Sequence, residues 1–302
     1  MTAATDTNTF NLKMVVLPTA NVNLEDALDL AYYEQAGQPA PIYSTVLQPQ
    51  ERPTREVIKA MMDLGRKLLD SHMLEDAYEV FEEALFMQKK KTMQQLQASN
   101  DEELAAILKS IARVRTAMGD YDGAFDTLNE ALELQIDHQS IVDTLFDTGL
   151  VLMDGAYFDD ALRVFKESIT VQILVDGYSS SRIAEVQDYM GETFLRTNQL
   201  DEAINAWFDS ADMWKVLNED GRLADSLNSM GVAYFRSGDY DVASIMYQEA
   251  MSIYSNNTES YDKMDVARKN LDLVTDLAST HEECIAVYHV NGKMNQTGTI
   301  EC

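Results

Sequence analysis

Five stretches of this sequence repeat one order of small and large residues at fixed offsets. Each stretch begins with a small residue: Gly65, Ala112, Gly149, Gly191 and Gly231. Twelve positions later every stretch has an alanine: Ala77, Ala124, Ala161, Ala203 and Ala243. Four positions further comes a large apolar residue: Phe81, Leu128, Phe165, Trp207 and Tyr247. A second small residue follows three positions later: Ala84, Ala131, Ser168, Ser210 and Ala250. Such repeats are units that bury apolar surface by stacking on their neighbours.

Each stretch is predicted to form two antiparallel helices joined by a short turn. Apolar residues recur at i, i+3, i+4 and i+7, the helical period, and the chain has only five prolines and thirteen glycines. A glycine inside a helix costs about 1 kcal/mol relative to alanine. We attribute its presence to close packing, since helices approach to about 8 Å only where side chains are small. The first small row is predicted to face the alanine row, with the large residue filling the adjacent gap.

This order of residues at these offsets resembles the pattern of the tetratricopeptide repeat family: a small residue, an alanine, a large apolar residue and a second small residue. The five copies cover about residues 56–255. Their alanines are 47, 37, 42 and 40 positions apart, whereas the family's usual period is about 34. This longer spacing, with "SLNSMGVAYFRSGDYDVA", is similar to kinesin-light-chain repeats, although the N-terminal part has no sustained heptads. The resemblance implies an all-α, right-handed α-solenoid of five helix-turn-helix repeats with a C-terminal capping helix.

The flanks differ from the repeats in composition. Residues 1–55 are predicted to form an N-terminal flank with one helix, at 23–37, followed by a proline-rich linker. Two interpretations stay open: a plain linker, or a segment, "APIYSTVLQP", that folds back and blocks the binding groove. Residues 256–288 are predicted to be the capping helix, because a solenoid end needs a cover over its apolar face. Residues 289–302 lack periodicity and are predicted to be disordered.

Charge and motifs restrict the function. The net charge of −28 repels phosphate backbones and anionic lipid, so nucleic acid and membrane surfaces are not expected partners. The sequence has four histidines and no phosphate-binding loop, nucleophile elbow or zinc-protease motif. We therefore predict a non-enzymatic protein without cofactor or metal. Two cysteines and no membrane-length apolar run favour the cytoplasm.

The resemblance implies that the first helix of each repeat lines a concave groove where partners bind. The groove residues predicted on this basis are Lys59, Arg66, Lys109, Arg113, Phe146, Leu150, Met153, Tyr189, Leu195, Asn228, Phe235 and Arg236. Cations in the first two repeats indicate an acidic segment in the ligand, and the later large apolar groups indicate anchors for apolar side chains. The alternative, that neighbouring helices bury those apolar groups, stays open.

These observations predict an adaptor or scaffold that binds a protein or peptide in the groove of the solenoid. The alternative is a structural subunit or assembly factor of a larger complex, and a cargo adaptor of the kinesin-light-chain type is less favoured. An adaptor should bind an isolated peptide, whereas a subunit should copurify with stable partners. The oligomeric state and the identity of the partner are not predicted.

Overall fold

The computed structural model describes residues 55–95, 101–135, 137–177, 180–256 and 261–280. These residues form eleven α-helices and contain no strand. The helices are α1 (Arg55–Asp70), α2 (Leu74–Gln95), α3 (Asp101–Met118), α4 (Tyr121–Glu133), α5 (His138–Asp154), α6 (Phe158–Asp176), α7 (Ser181–Arg196), α8 (Leu200–Leu217), α9 (Asp220–Ser237), α10 (Tyr240–Tyr254) and α11 (Tyr261–Thr280).

The helices form a linear array in which each packs mainly on its neighbours along the chain. Five pairs, α1–α2, α3–α4, α5–α6, α7–α8 and α9–α10, correspond to the five repeated stretches. The eleventh helix packs chiefly against α10. Contacts between adjacent units are typical of solenoids, whose stability depends on each unit and its interfaces with the next.

All five pairs turn in the same way although the residue at the turn varies. One residue in each turn has positive φ: His72, Gly119, Ala156, Asn198 and Gly238. In each turn the amide of the next residue donates to the carbonyl five positions back, as Met73 does to Leu68 at 2.9 Å. This closure satisfies carbonyls at the end of the first helix, and it sends the second helix back along the first.

The glycines of the first small row lie against the rings of the large row. A Cβ built at Gly65 would lie 2.5 Å from a Phe81 ring atom, and a Cβ at Gly191 or Gly231 would lie 2.6 Å from Trp207 or Tyr247. Real Cβ atoms do not approach so closely, so only glycine fits. Four repeats have such a glycine–ring contact: Gly65–Phe81, Gly149–Phe165, Gly191–Trp207 and Gly231–Tyr247.

The sequence analysis placed the alanine row opposite the glycines and the large residue in the adjacent gap. The structure shows that the atoms nearest to these glycines belong to the large residue, whose ring reaches the backbone of the first helix. Repeat two has Ala112 and Leu128 at these positions, in one buried cluster. In this repeat the first helix has a Cβ, that of Ala112, and the facing large residue is the smaller leucine, Leu128. The alanine row is nevertheless completely buried in every repeat.

Part of the predicted organisation lies outside the described residues. The helix predicted at 23–37, the proline-rich linker and the segment 289–302 all fall there. Helix α11 lies within the segment predicted as a cap. The division of the chain into four segments stays a prediction.

Candidate functional site

Four of the five cations predicted for the groove lie on the first helices of repeats one and two, and two of these four are paired. Arg66 forms an ion pair with Asp63 at 2.6 Å, and Lys109 forms one with Asp147 of α5 at 3.0 Å. Lys59 and Arg113 are exposed, and the structure shows no ion pair between either and another described residue. The available positive charge on this face therefore comes mainly from Lys59 and Arg113.

Several apolar residues predicted as anchors are buried by neighbouring helices. Phe146, Met153 and Leu195 expose 6%, 4% and 3% of their surface, respectively. The Phe146 ring packs edge-on against the Tyr189 ring, with the two ring centroids 5.4 Å apart. These contacts match the packing alternative that the sequence analysis left open.

The remaining predicted groove residues differ in accessibility. Leu150, Tyr189 and Phe235 are partly buried, and Asn228 has no exposed surface. Arg236 keeps an exposed part, but its guanidinium donates to the Leu195 carbonyl at 3.1 Å. Burial lowers the pKa of Arg236, and this hydrogen bond joins α9 to α7.

A polar cluster around Asp188 joins three helices of repeats four and five. Its carboxylate accepts hydrogen bonds from the Ser210 hydroxyl, from the Ser226 hydroxyl at 2.8 Å and from the Trp214 indole at 2.8 Å. Burial raises the pKa of Asp188, and the three donors oppose that shift by stabilising the carboxylate. The cluster fixes α7, α8 and α9 relative to one another.

Ion pairs also connect successive first helices. Arg182 on α7 bridges Asp143 on α5 at 2.8 Å and Glu185 at 2.7 Å. Arg222 on α9 reaches the same Glu185 at 3.3 Å. The guanidinium of Arg182 also lies 4.6 Å from the centroid of the Phe146 ring, so cation–π attraction adds to the bridge.

The next link in this series joins α9 to the following helices. Asp225 is 5% exposed and accepts from the Tyr254 hydroxyl at 2.6 Å. It also pairs with Lys263 of α11 at 2.6 Å. Sequence analysis missed this series of ion pairs between successive helices. A signal was present, because Arg182 and Arg222 occupy the same position in consecutive repeats, nine residues before Gly191 and Gly231.

Two recesses lie on this part of the array. A crevice of ≈ 20 Å³ between α7 and α9, about one water molecule in size, is lined by residues that include Asp188, Glu192 and Ser229. A polar recess of ≈ 200 Å³ includes Gln172 and Arg182. Among the described residues, no group of three or more histidine, cysteine, aspartate or glutamate side chains is placed to hold a metal ion.

Comparison with known families identifies the type of repeat in the C-terminal part of the array. Residues 182–256 match the family model of the tetratricopeptide repeat. This segment consists of tetratricopeptide repeats. The matched segment contains helices α7 to α10. The Asp188 cluster and the ion pair of Arg222 with Glu185 lie in this segment.

Solved structures of tetratricopeptide repeat proteins share the fold over most of the chain. BtubC from P. vanneervenii is 18% identical with a TM-score of 0.59, and the match covers 68% of this chain and 84% of that one. The kinesin-light-chain TPR-like repeats of Podosopora anserina are 15% identical with a TM-score of 0.57, covering 69% and 99%. The STAND protein with a tetratricopeptide repeat sensor from Pyrococcus horikoshii is 13% identical with a TM-score of 0.60, covering 73% and 33%. No curated protein matches this sequence.

The predicted all-α solenoid of tetratricopeptide repeats is thereby confirmed, and kinesin-light-chain-like repeats are among its structural neighbours. At these identities the structural matches show the fold alone. This fold is generally a scaffold for protein–protein interaction. In the part of the chain that the structure describes, no helix is both long and apolar enough to cross a lipid bilayer.

Proposed function

We propose that this chain is a cytoplasmic, non-enzymatic adaptor or scaffold that binds a protein or peptide along the first helices of its repeats. Tetratricopeptide repeat proteins generally bind proteins or peptides and are generally non-catalytic. The array offers a continuous row of first helices, α1, α3, α5, α7 and α9, on which an extended partner can contact several repeats.

The observation that supports this proposal most directly is the position of Lys59 and Arg113. Both are exposed on first helices, and neither has an ion-pair partner among the described residues. In a chain with 51 acidic and 23 basic side chains, most described cations form ion pairs, whereas these two stay available on the first helices. An acidic segment of a partner would pair with them, and charge complementarity of this kind favours association and specificity.

The proposed contact face consists of the accessible members of the predicted set. These are Lys59, Arg66, Lys109, Arg113, Leu150, Tyr189, Phe235 and Arg236. Phe146, Met153, Leu195 and Asn228 are packed inside the array, and we propose that they fix the curvature of the face without touching the partner. Apolar contact would then come from Leu150, Tyr189 and Phe235, which keep part of their surface.

The absence of a catalytic role is part of the proposal and is supported by how Asp188 is used. A raised carboxyl pKa in a crevice is a feature of many active sites. Here the carboxylate already accepts hydrogen bonds from Ser210, Ser226 and Trp214. Its acceptor sites therefore serve the packing of α7, α8 and α9.

A displayed library of random peptides would test this function. Selection on the full-length chain should enrich peptides with acidic residues beside an apolar residue. Arg113→Glu should weaken a selected peptide about tenfold and leave the unfolding transition in place, because Arg113 is exposed.

Lys166→Glu is the matched control, since Lys166 is an exposed cation on the second helix α6 and the change in charge is identical. It should leave the affinity nearly unchanged. Equal weakening by both variants would show that the change in net charge alone causes the effect, and it would refute the proposed face. Unfolding of Arg113→Glu would show that Arg113 supports the fold instead.

A further inference from the structure

The second helices present an acidic row that the first helices lack. Six positions after the alanine row, every repeat has an acidic residue: Glu83, Glu130, Glu167, Asp209 and Glu249. All except Glu83 are exposed. Within the described ranges, only Glu130 of this row forms an ion pair, with Lys89 at 3.1 Å. The row is thus largely unneutralised.

Large apolar side chains are exposed beside this row on α8 and α10. Phe208 and Val216 of α8 expose 57% and 69% of their surface, and Ile245 of α10 exposes 56%. Phe208, Asp212 and Val216 are spaced i, i+4 and i+8, so they form one stripe along α8. Ile245 and Glu249 are spaced i, i+4 on α10 in the same way.

Two acidic residues of this surface occupy equivalent positions in adjacent repeats. Asp209 and Glu249 each lie six positions after the alanine of their repeat, Ala203 and Ala243. Adjacent second helices therefore present the same side. We call the set Phe208, Asp209, Asp212, Val216, Ile245 and Glu249 the second-helix strip. It combines apolar and negative surface, whereas isolated exposed apolar residues are ordinary on protein surfaces.

The electrostatics of the strip are unfavourable in the free protein. Partial burial raises the pKa of Asp209, and repulsion from the nearby Asp212 carboxylate adds to that shift. Lys215 is exposed on the same helix, but it forms no ion pair with either aspartate. A cation supplied from outside would relieve this repulsion.

The net charge of the chain indicates which kind of partner could cover this surface. A second copy would bring another net charge of −28 against the strip, and nucleic acid or anionic lipid would likewise bring negative charge. A basic segment of a different protein has the complementary sign. Its apolar side chains would contact Phe208, Val216 and Ile245.

We propose that the second-helix strip is a docking surface for a cationic amphipathic segment of a partner protein. The eight positions from Phe208 to Val216 span about 12 Å along α8 at 1.5 Å per residue. A partner helix with apolar residues two turns apart and lysine or arginine beside them matches this spacing. The surface is separate from the first-helix face, and the inference does not depend on the groove being used.

The test uses a synthetic amphipathic peptide of leucine and lysine, about 18 residues or five turns long, and the full-length chain. Fluorescence anisotropy at about 0.15 M salt measures its affinity. A peptide of the same composition, with the leucines spread around the helix, serves as the ligand control. The amphipathic peptide should bind the wild-type chain more tightly than the control peptide.

Two double variants probe the apolar and the acidic parts of the strip. Phe208→Ser with Val216→Ser, and Asp209→Lys with Asp212→Lys, should each weaken the amphipathic peptide about tenfold. All four residues are exposed, so folding should persist. The matched control is Asp126→Lys with Glu133→Lys on α4, where both acids are exposed and no exposed large apolar residue accompanies them in the described chain. It should change the affinity little.

Four outcomes would overturn the inference. Equal weakening by the α4 control would show attraction to net charge only. An unchanged affinity in the serine variant would show that the apolar residues are not contacted. Self-association of the wild-type chain that the serine variant abolishes would make a second copy the occupant. Tighter binding in Arg113→Glu, with the affinity unchanged in both strip variants, would place the cationic peptide on the first-helix face, which separates this inference from the groove proposal.

Discussion

Replacing Gly149 by alanine tests the packing that organises every repeat. The substitution adds one methyl group on α5, directly against the Phe165 ring of α6. Phe165 has no exposed surface, so its ring has no open space into which to move. The same contact recurs in three other repeats, which makes the result relevant to the whole array.

The expected magnitude follows from two opposing terms. Alanine is a better helix former than glycine by about 1 kcal/mol. The built Cβ lies within 3.0 Å of three Phe165 ring atoms, whereas carbon atoms in contact are about 3.5–4.0 Å apart. Overpacking of a buried site costs about 1–3 kcal/mol. We therefore expect Gly149→Ala to lower the free energy of unfolding by up to about 2 kcal/mol.

A second substitution should rescue the first. Repeat two has Ala112 and Leu128 where the others have glycine and an aromatic residue. Phe165→Leu introduces that pair into repeat three when combined with Gly149→Ala. The double variant should be more stable than the sum of the two single changes predicts, with a coupling energy within about 0.5–3 kcal/mol.

Urea unfolding followed by circular dichroism measures these differences, with the midpoint compared at constant m value. Gly221→Ala on α9 is the matched control, because a Cβ there meets nothing within 4 Å. It should leave stability unchanged or raise it by up to about 1 kcal/mol. If Gly149→Ala were as stabilising as this control, or if the coupling energy were zero, the glycine–ring explanation would be wrong.

Three further predictions concern the buried core. Ala203→Leu should cost about 1–3 kcal/mol or more by overpacking, since Ala203 has no exposed surface; urea unfolding measures it. Tyr247→Phe should raise the free energy of unfolding by about 1 kcal/mol, because its buried hydroxyl has no partner within the described chain; Tyr254→Phe should lower it, because that hydroxyl donates to Asp225. Burial raises the pKa of both tyrosines, so the folded chain keeps protons that the unfolded chain releases above about pH 10. Stability should therefore fall as the pH rises past that value, and less steeply in Tyr247→Phe; unfolding midpoints at neutral and alkaline pH check this.

The fold could be predicted from the sequence because its main determinants are local and repeated. Small residues at matched offsets, such as Gly191 and Ala203, appear in the sequence as rows once the five stretches are aligned. The partner of each glycine could not be assigned in the same way. Offsets place Trp207 four positions from Ala203 on the same helix, and only the rotation of that helix decides which of the two reaches Gly191.

The candidate site was less predictable because it depends on how successive repeats are oriented. Periodicity shows that Phe146 and Met153 belong to an apolar face, but it does not show that the next repeat covers them. The bridge from Arg182 to Asp143 joins residues 39 positions apart, and nothing in either local pattern indicates the other. The exposed state of Arg113, by contrast, follows from its place on a polar helix side.

Chemical-shift mapping of a peptide selected from the displayed library tests the central claim most directly. The claim is that the first helices of the array form its binding face. With the ¹⁵N-labelled full-length chain, we expect shift changes to cluster on α1, α3 and the exposed side of α5, around Lys59, Arg113 and Leu150. Shift changes confined to α6, α8 and α10, with Lys59 and Arg113 unaffected, would contradict the account.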